Sequence, residues 1–464
     1  MKISFEQRNC VPLLWLLLLQ KYLNFLFMIK SRKFIKRFAY LCTVNKFDIV
    51  VVGAGPAGMV AAGHAAAGGC SVLLLEKGEQ CGKKLCITGK GKCNITNTKE
   101  WDDFSTHIYP QSLFFRPAFH HFSNKDTIAF FNQIGVETLK ERGDRIFPVS
   151  QSAPMVRDAL VQWATEQGVN IVTKARVTQL KVGDQQIGSV QYQRDSKTEN
   201  VLCGAVVVAT GGYSFPLTGS DGEGHILAQA LGHQITPCFP SLTGLMPHNY
   251  DKRLQGVTLN NVGLSLVVDT EIVREEFGEI IFTDLGFEGS LGYRLSRQVV
   301  TAMRSGSKVG LTINLKAAIP SQQLQERFRR DLLRLPSETT EQFMRHYLPR
   351  ELLHPFLGAA GVHLGKQIGA LTPVEKERLL HQLQHWEFSI ERYAGYDRAI
   401  ATAGGVSLKE IQKKEMRSKI VRNLFFAGEV VDLDGDTGGY NLQIAFSTGV
   451  LAGQGAARLL NSKT

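Results

Sequence analysis

The chain has 464 residues, of which 44% are hydrophobic and 20% charged; these proportions exclude collagen-like, coiled-coil and largely disordered chains. Its formal charge of +11 would suggest a polyanionic partner, yet residues 1–46 alone carry +8, from nine basic residues against Glu6, and leave +3 for everything after them. A body so close to neutral gives no case for nucleic acid.

At the N-terminus, residues 11–19 (VPLLWLLLL) are apolar, and Gln20, Lys21 and Asn24 interrupt the run before FLFMI at 25–29. A membrane-spanning helix needs about 20 mostly apolar residues, so no stable membrane insertion is expected. Residues 1–46 are read as an extension outside the working protein, with Val44-Asn45-Lys46 as a candidate true start. The eight cysteines are scattered with no Cys-x-x-Cys. That spacing argues against a zinc ribbon, an iron–sulfur cluster or a thioredoxin-like pair, so no metal is expected. Reduced thiols in a chain of this size point to the cytoplasm.

Residues 47–52 (FDIVVV) predict a buried parallel strand. Gly53-Ala54-Gly55-Pro56-Ala57-Gly58 follows, then an Ala-rich helix over 59–69, a second strand at 71–75 (SVLLL) and Glu76. Strand, glycines, helix, strand and terminal acid in this order form a dinucleotide-binding unit. Gly53 allows the tight turn, Gly55 admits the diphosphate to the backbone, and Gly58 lets helix meet strand. Glu76 can accept from ribose hydroxyls, and disfavours a 2′-phosphate there.

Further along, residues 204–213 (GAVVVATGGY) read as a strand running into Thr210-Gly211. Residues 423–429 (NLFFAGE) read as another strand, ending at Gly428-Glu429, and 438–453 as a helix opened by glycines. A late strand and helix returning to the first unit favour FAD over NAD, because such a helix N-terminus can stabilise charge on a reduced flavin. No second G-x-G-x-x-G follows a strand, so a separate nicotinamide domain is not expected. Lys83, Lys84, Lys90 and Lys92 place four cations within ten residues, a suitable neighbourhood for a diphosphate. Asn94, Thr96 and Asn97 offer polar groups to a flavin edge or substrate. Tyr440, Asn441, Glu429, Tyr213 and Cys93 are unranked donor candidates, and the histidines show no catalytic partner. No Gly-x-Ser-x-Gly is present, which leaves hydrolase chemistry unsupported.

Four segments carry a family resemblance. Cys81–Asn97 (CGKKLCITGKGKCNITN), Glu141–Ala153 (ERGDRIFPVSQSA), TAGGV at 402–406 with Met416–Lys419, and Phe426–Phe446 (FAGEVVDLDGDTGGYNLQIAF) resemble, in order, the blocks of the bacterial YhiN-like or BaiN-like predicted flavoproteins. Two departures stand out. Lys92 replaces a common Arg, and FTDLGFEGS at 282–290 replaces a block ending Ser-Gly-Pro. The resemblance implies an α/β fold: a Rossmann-type FAD-binding domain with an inserted small β-barrel and a helical subdomain. The expected divisions are 47–232 with 403–464, 233–320 with 386–402, and 321–385. It implies an FAD-dependent oxidoreductase for a small organic substrate, with NAD(P)H as candidate external reductant. The alternative is a flavin-binding redox sensor without turnover. The cofactor-binding residues expected are Gly53, Gly55, Pro56, Ala57, Gly58, Glu76, Lys77, Lys84, Lys92, Asn94, Val177, Thr210, Gly211, Gly428, Glu429, Asp432, Gly439, Asn441 and Leu442.

Overall fold

The structure is a computed structural model that describes residues 46–462, so the expectations for the N-terminal apolar run lie outside the described residues. Strand β1 (Lys46–Val52) is the centre of a parallel array. It pairs on one side with β2 (Val72–Leu75), which pairs with β3 (Asn170–Val172), and on the other with β4 (Lys197–Val208), which pairs with β13 (Leu424–Phe426). The order β3-β2-β1-β4-β13 is that of a Rossmann sheet. Ile49, Val50 and Val51 are fully buried, as a strand covered on both faces requires.

Helix α1 (Pro56–Ala67) crosses from β1 to β2, and α8 (Tyr440–Asn461) lies against it. Neither presents a clean apolar stripe, because each is buried on nearly every side. Their contact is set by small residues. A Cβ on Gly449 would lie 2.6 Å from the Ala57 carbonyl oxygen, and one on Gly453 would lie 2.2 Å from that of Ala61. On another face of α1, Gly63 leaves room for the Trp163 ring of α2 (Ala153–Glu166).

Between β4 and β13 the chain builds a second body. Strands β6 (Leu245–Pro247), β7 (Thr258–Val268), β8 (Glu271–Phe282), β9 (Phe287–Glu288), β10 (Val309–Asn314) and β11 (Trp386–Tyr393) close into a barrel in the order β6-β9-β8-β7-β10-β11. Helix α3 (Gly289–Arg304) runs from β9 across the barrel. The link between β10 and β11 is helical: α4 (Ser321–Arg334), α5 (Thr340–Met344), α6 (Arg350–Ala360) and α7 (Pro373–Gln384). Thr339 with Gln342 and Thr372 with Glu375 form reciprocal capping boxes at the starts of α5 and α7. Barrel and helices share one apolar core, which includes Phe282, Phe287, Phe328, Phe343 and Phe356, separate from the core of the Rossmann body. The two bodies are joined by β5 (Ile235–Ser241), paired antiparallel with β12 (Ala401–Val406). Among the described residues, no helix is long and apolar enough to cross a membrane.

Candidate functional site

The carboxyl ends of β1, β4 and β13 open into a cavity of about 840 Å³ that runs from the glycine turn to the barrel. At one end, Gly53 takes φ +95°, a left-handed conformation. A Cβ on Gly58 would sit 1.8 Å from the Gly53 carbonyl oxygen, so Gly58 lies off the wall and keeps the turn tight. Gly55 is the opposite case: a Cβ there meets no protein atom within 4 Å, because it would point into the cavity. No side chain caps the first turn of α1, so its backbone N–H groups remain available to an anion.

Glu76, at the end of β2, accepts from Ala54 N at 2.9 Å and Gly78 N at 2.7 Å, and so braces the turn as well as lining the cavity. Lys77 is on the same wall but is held by Asp221 and Glu223 at 2.6 and 3.2 Å. Val177, Thr210 and Gly211 complete this end. The Thr210 hydroxyl is buried and has no hydrogen-bond partner among the described residues.

The middle of the cavity is formed where α8 begins. Gly439, in a left-handed conformation, is the N-cap and offers no side chain to the first turn. Asn94, with its amide nitrogen toward the Thr96 and Ile146 carbonyls, accepts from Gly439 N at 3.0 Å and ties the cationic loop to α8. Asn441 folds back on the turn before it, accepting from Gly435 N and donating to its carbonyl. Gly428, Glu429 and Leu442 line the same stretch.

Lys84 is not a free cation for a diphosphate. Its ammonium pairs with Glu429 and reaches Ser214 Oγ at 3.0 Å. Glu429 also accepts from Ser214 Oγ and from Thr402 N, both at 2.7 Å. Burial would raise its carboxyl, but Lys84 and these donors hold it below the usual carboxylate range. It is therefore an anchored anion rather than a proton donor. Lys90 and Lys92 line the cavity with no ion-pair partner among the described residues.

Asp432 lies off the wall: it is buried behind β12, its backbone N donating to Val406 O. Three donor candidates from the sequence also miss the cavity. Cys93 is wholly buried, with its thiol pushed up to about 12 by desolvation. Tyr440 stacks on His107, and Tyr213 on His225. The sequence reading missed the far wall, where the barrel contributes Glu279, Ile281 and Glu288 and α3 contributes Ser290 and Tyr293, with Arg398 nearby. A signal for it was present: Glu288 and Ser290 lie in the segment 282–290 that departs from the family block.

These residues suit FAD. The glycine cradle, the uncapped α1 N-terminus, the Thr210 hydroxyl and the uncapped α8 N-terminus all border one cavity, and are groups of the kind that could receive a diphosphate, a hydroxyl and a ring edge that gains charge.

The family described as HI0933-like protein Rossmann domain matches residues 47–455. A 3-dehydro-bile acid delta(4,6)-reductase of Clostridium scindens is 29% identical over 411 residues, covering 88% of this chain and 98% of that protein. A ribosomal RNA dihydrouridine synthase of Escherichia coli is 28% identical over 410 residues, covering 87% of this chain and 96% of that protein. Among solved structures, a quinol-fumarate reductase with menaquinol molecules is alike in fold, with a TM-score of 0.50 and 16% identity over 91% of this chain and 72% of that one.

Proposed function

This chain belongs to the HI0933-like family of Rossmann-domain proteins, and from that premise we propose that it is an FAD-dependent oxidoreductase that reduces a carbon–carbon double bond conjugated to a carbonyl in a small organic substrate. The observation that carries the reading is the single cavity with a glycine-cradled end in the Rossmann body and a barrel-walled end beyond it. The names of two relatives, a delta(4,6)-reductase and a dihydrouridine synthase, describe the same reaction type, addition of two hydrogens across such a bond.

We assign the diphosphate to Gly55, Pro56 and Ala57 and the ribose to Glu76. The ring edge falls to the N-terminus of α8 at Gly439–Leu442. Bound there, the cofactor would supply two-electron hydride chemistry. The Lys84–Glu429 pair fixes the floor between the Rossmann body and β12, and the apolar side chains Leu242, Ile281 and Ile400 help keep the substrate lobe dry. On this reading 47–232 with 403–464 hold the cofactor, and the barrel with its helical piece shapes the substrate end. NAD(P)H is the proposed external reductant.

The test is an absorption spectrum of the purified protein, then anaerobic reduction with NADH and with NADPH, then addition of 2-cyclohexenone or a 3-oxo-4,6-diene bile acid. A bound flavin that bleaches and is reoxidised by either enone supports the proposal. A flavin that neither nicotinamide bleaches supports the redox-sensor alternative. A second reading, a uridine in RNA as substrate, is favoured by Lys90, Lys92 and Arg145, which line the cavity with no carboxylate partner among the described residues. Reoxidation by RNA fragments but by neither enone would select it.

A further inference from the structure

At the barrel end of the cavity, the protic chemistry is concentrated in one pair. Strand β9 ends at Glu288 and α3 begins at Gly289, so Glu288 and Tyr293 stand at the junction of β9 with α3, and both line the cavity. Tyr293 Oη donates to Glu288 Oε2 at 3.1 Å. Glu288 Oε1 lies 3.8 Å from Arg398 Nη1. Arg398 in turn grips the exposed Asp284 through two hydrogen bonds of 2.7 and 2.9 Å. These groups form a row from bulk water to the cavity wall. The row is continuous with the cofactor end, because Ile400 and Ala401 line the same cavity and Thr402 N donates to Glu429.

Several other hydroxyl groups on the wall spend their hydrogens on backbone carbonyls. Ser290 Oγ donates to the Glu279 carbonyl, Thr88 Oγ1 to the Leu85 carbonyl and Thr218 Oγ1 to the Phe215 carbonyl. Lys84 is bound to Glu429 and Ser214. Tyr293 is the one phenol on the wall among the described residues.

We propose that Tyr293 is a catalytic proton donor to the substrate, and that Glu288 is a positioning residue that orients its hydroxyl and returns a proton to it from the rim. The inference rests on the reading of the site as a double-bond reductase. Reduced FAD bound at the cofactor end would supply a hydride to the carbon β to the substrate carbonyl. The Tyr293 O–H bond breaks as a C–H bond forms at the α carbon, and the double bond becomes single. The substrate is reduced by two electrons and the hydride donor is oxidised by two. The phenolate left on Tyr293 regains its proton from water by way of Glu288. Burial, with the Glu288 charge, pushes the Tyr293 hydroxyl above the ordinary tyrosine range, so the proton is retained until a strongly basic carbon develops beside it.

The test uses full-length, FAD-loaded protein, with dithionite to reduce it and 2-cyclohexenone and a 3-oxo-4,6-diene bile acid as probes. Tyr293→Phe should keep its flavin content, its melting temperature and its reduction by dithionite. Its reoxidation by the enone should slow by about 10²–10⁴-fold, the usual scale for a lost general acid, with loss of the solvent deuterium isotope effect on that step. Glu288→Gln should slow reoxidation less and move its pH profile, an effect that a purely structural role would not produce. Reoxidation of Tyr293→Phe at the wild-type rate with an unchanged isotope effect overturns the proton-donor assignment and leaves the reductase reading standing. Failure of both probes to reoxidise the reduced wild-type protein overturns the proton-donor assignment and the reductase reading together.

Discussion

A methyl group on Gly55 would meet nothing of the protein, while one on Gly58 would lie inside van der Waals contact with the Gly53 carbonyl. The two glycines therefore predict different failures. Gly55→Val should fold with the melting temperature of the cofactor-free wild type and lose its flavin, read as the ratio of absorbance near 450 nm to that at 280 nm. Gly58→Ala should destabilise the cofactor-free protein itself, because backbone must move to admit the Cβ. Glu76 is similarly double in role, since its carboxylate braces Ala54 N and Gly78 N while facing the cavity. Glu76→Ala should weaken FAD binding by about 1–3 kcal/mol, the cost of a lost charge-assisted hydrogen bond, measured by titration of the apoprotein.

The pairing of α1 with α8 depends on the absence of side chains. Gly449 and Gly453, one turn apart, face Ala57 and Ala61 with room for hydrogen only. Helix propensity favours Ala over Gly by roughly 0.5–1 kcal/mol, yet overpacking against backbone costs about 1–3 kcal/mol. Gly453→Ala should therefore lower stability in urea unfolding and, by pushing α8 away from α1, loosen the flavin. Had propensity governed the site, the same substitution would raise the midpoint.

Across the whole molecule, the two bodies are clamped by Asp434 and Arg297. Asp434 is wholly buried in a two-residue strand before α8, and accepts from Arg297 of α3 at 3.0 Å and from Ser241 Oγ of β5 at 2.8 Å. Burial pushes its carboxyl up to about 6, against the pull of Arg297. The folded state thus holds this proton more tightly than the unfolded chain. Its contribution to stability is greatest below the ordinary carboxylate range, falls as pH rises to about 6, and is level above that. Arg297→Gln strands the carboxylate and should cost about 3–5 kcal/mol at pH 8, but less at pH 5, where Asp434 can take up a proton. Equal losses in urea unfolding at the two pH values would show that another group accounts for the effect.

The sequence by itself determined the Rossmann end of this protein. A strand, a glycine turn, a helix and a terminal acid act through neighbours in the chain, so Gly53, Gly55, Gly58 and Glu76 could be given their parts before any fold was known. The glycine-opened α8 was legible for the same reason. Tertiary structure decided the rest. Lys84 and Glu429, far apart in sequence, meet across the cavity and neutralise each other, which no local pattern announces. Asp432, in the same short run as Glu429, turns away behind β12 because β12 takes its backbone N–H. The Glu288–Tyr293 wall exists because six short strands close on themselves and carry the start of α3 to the cavity. Which side chains line a barrel-walled cavity depends on register and closure, and both are fixed by contacts between segments that the linear order keeps apart.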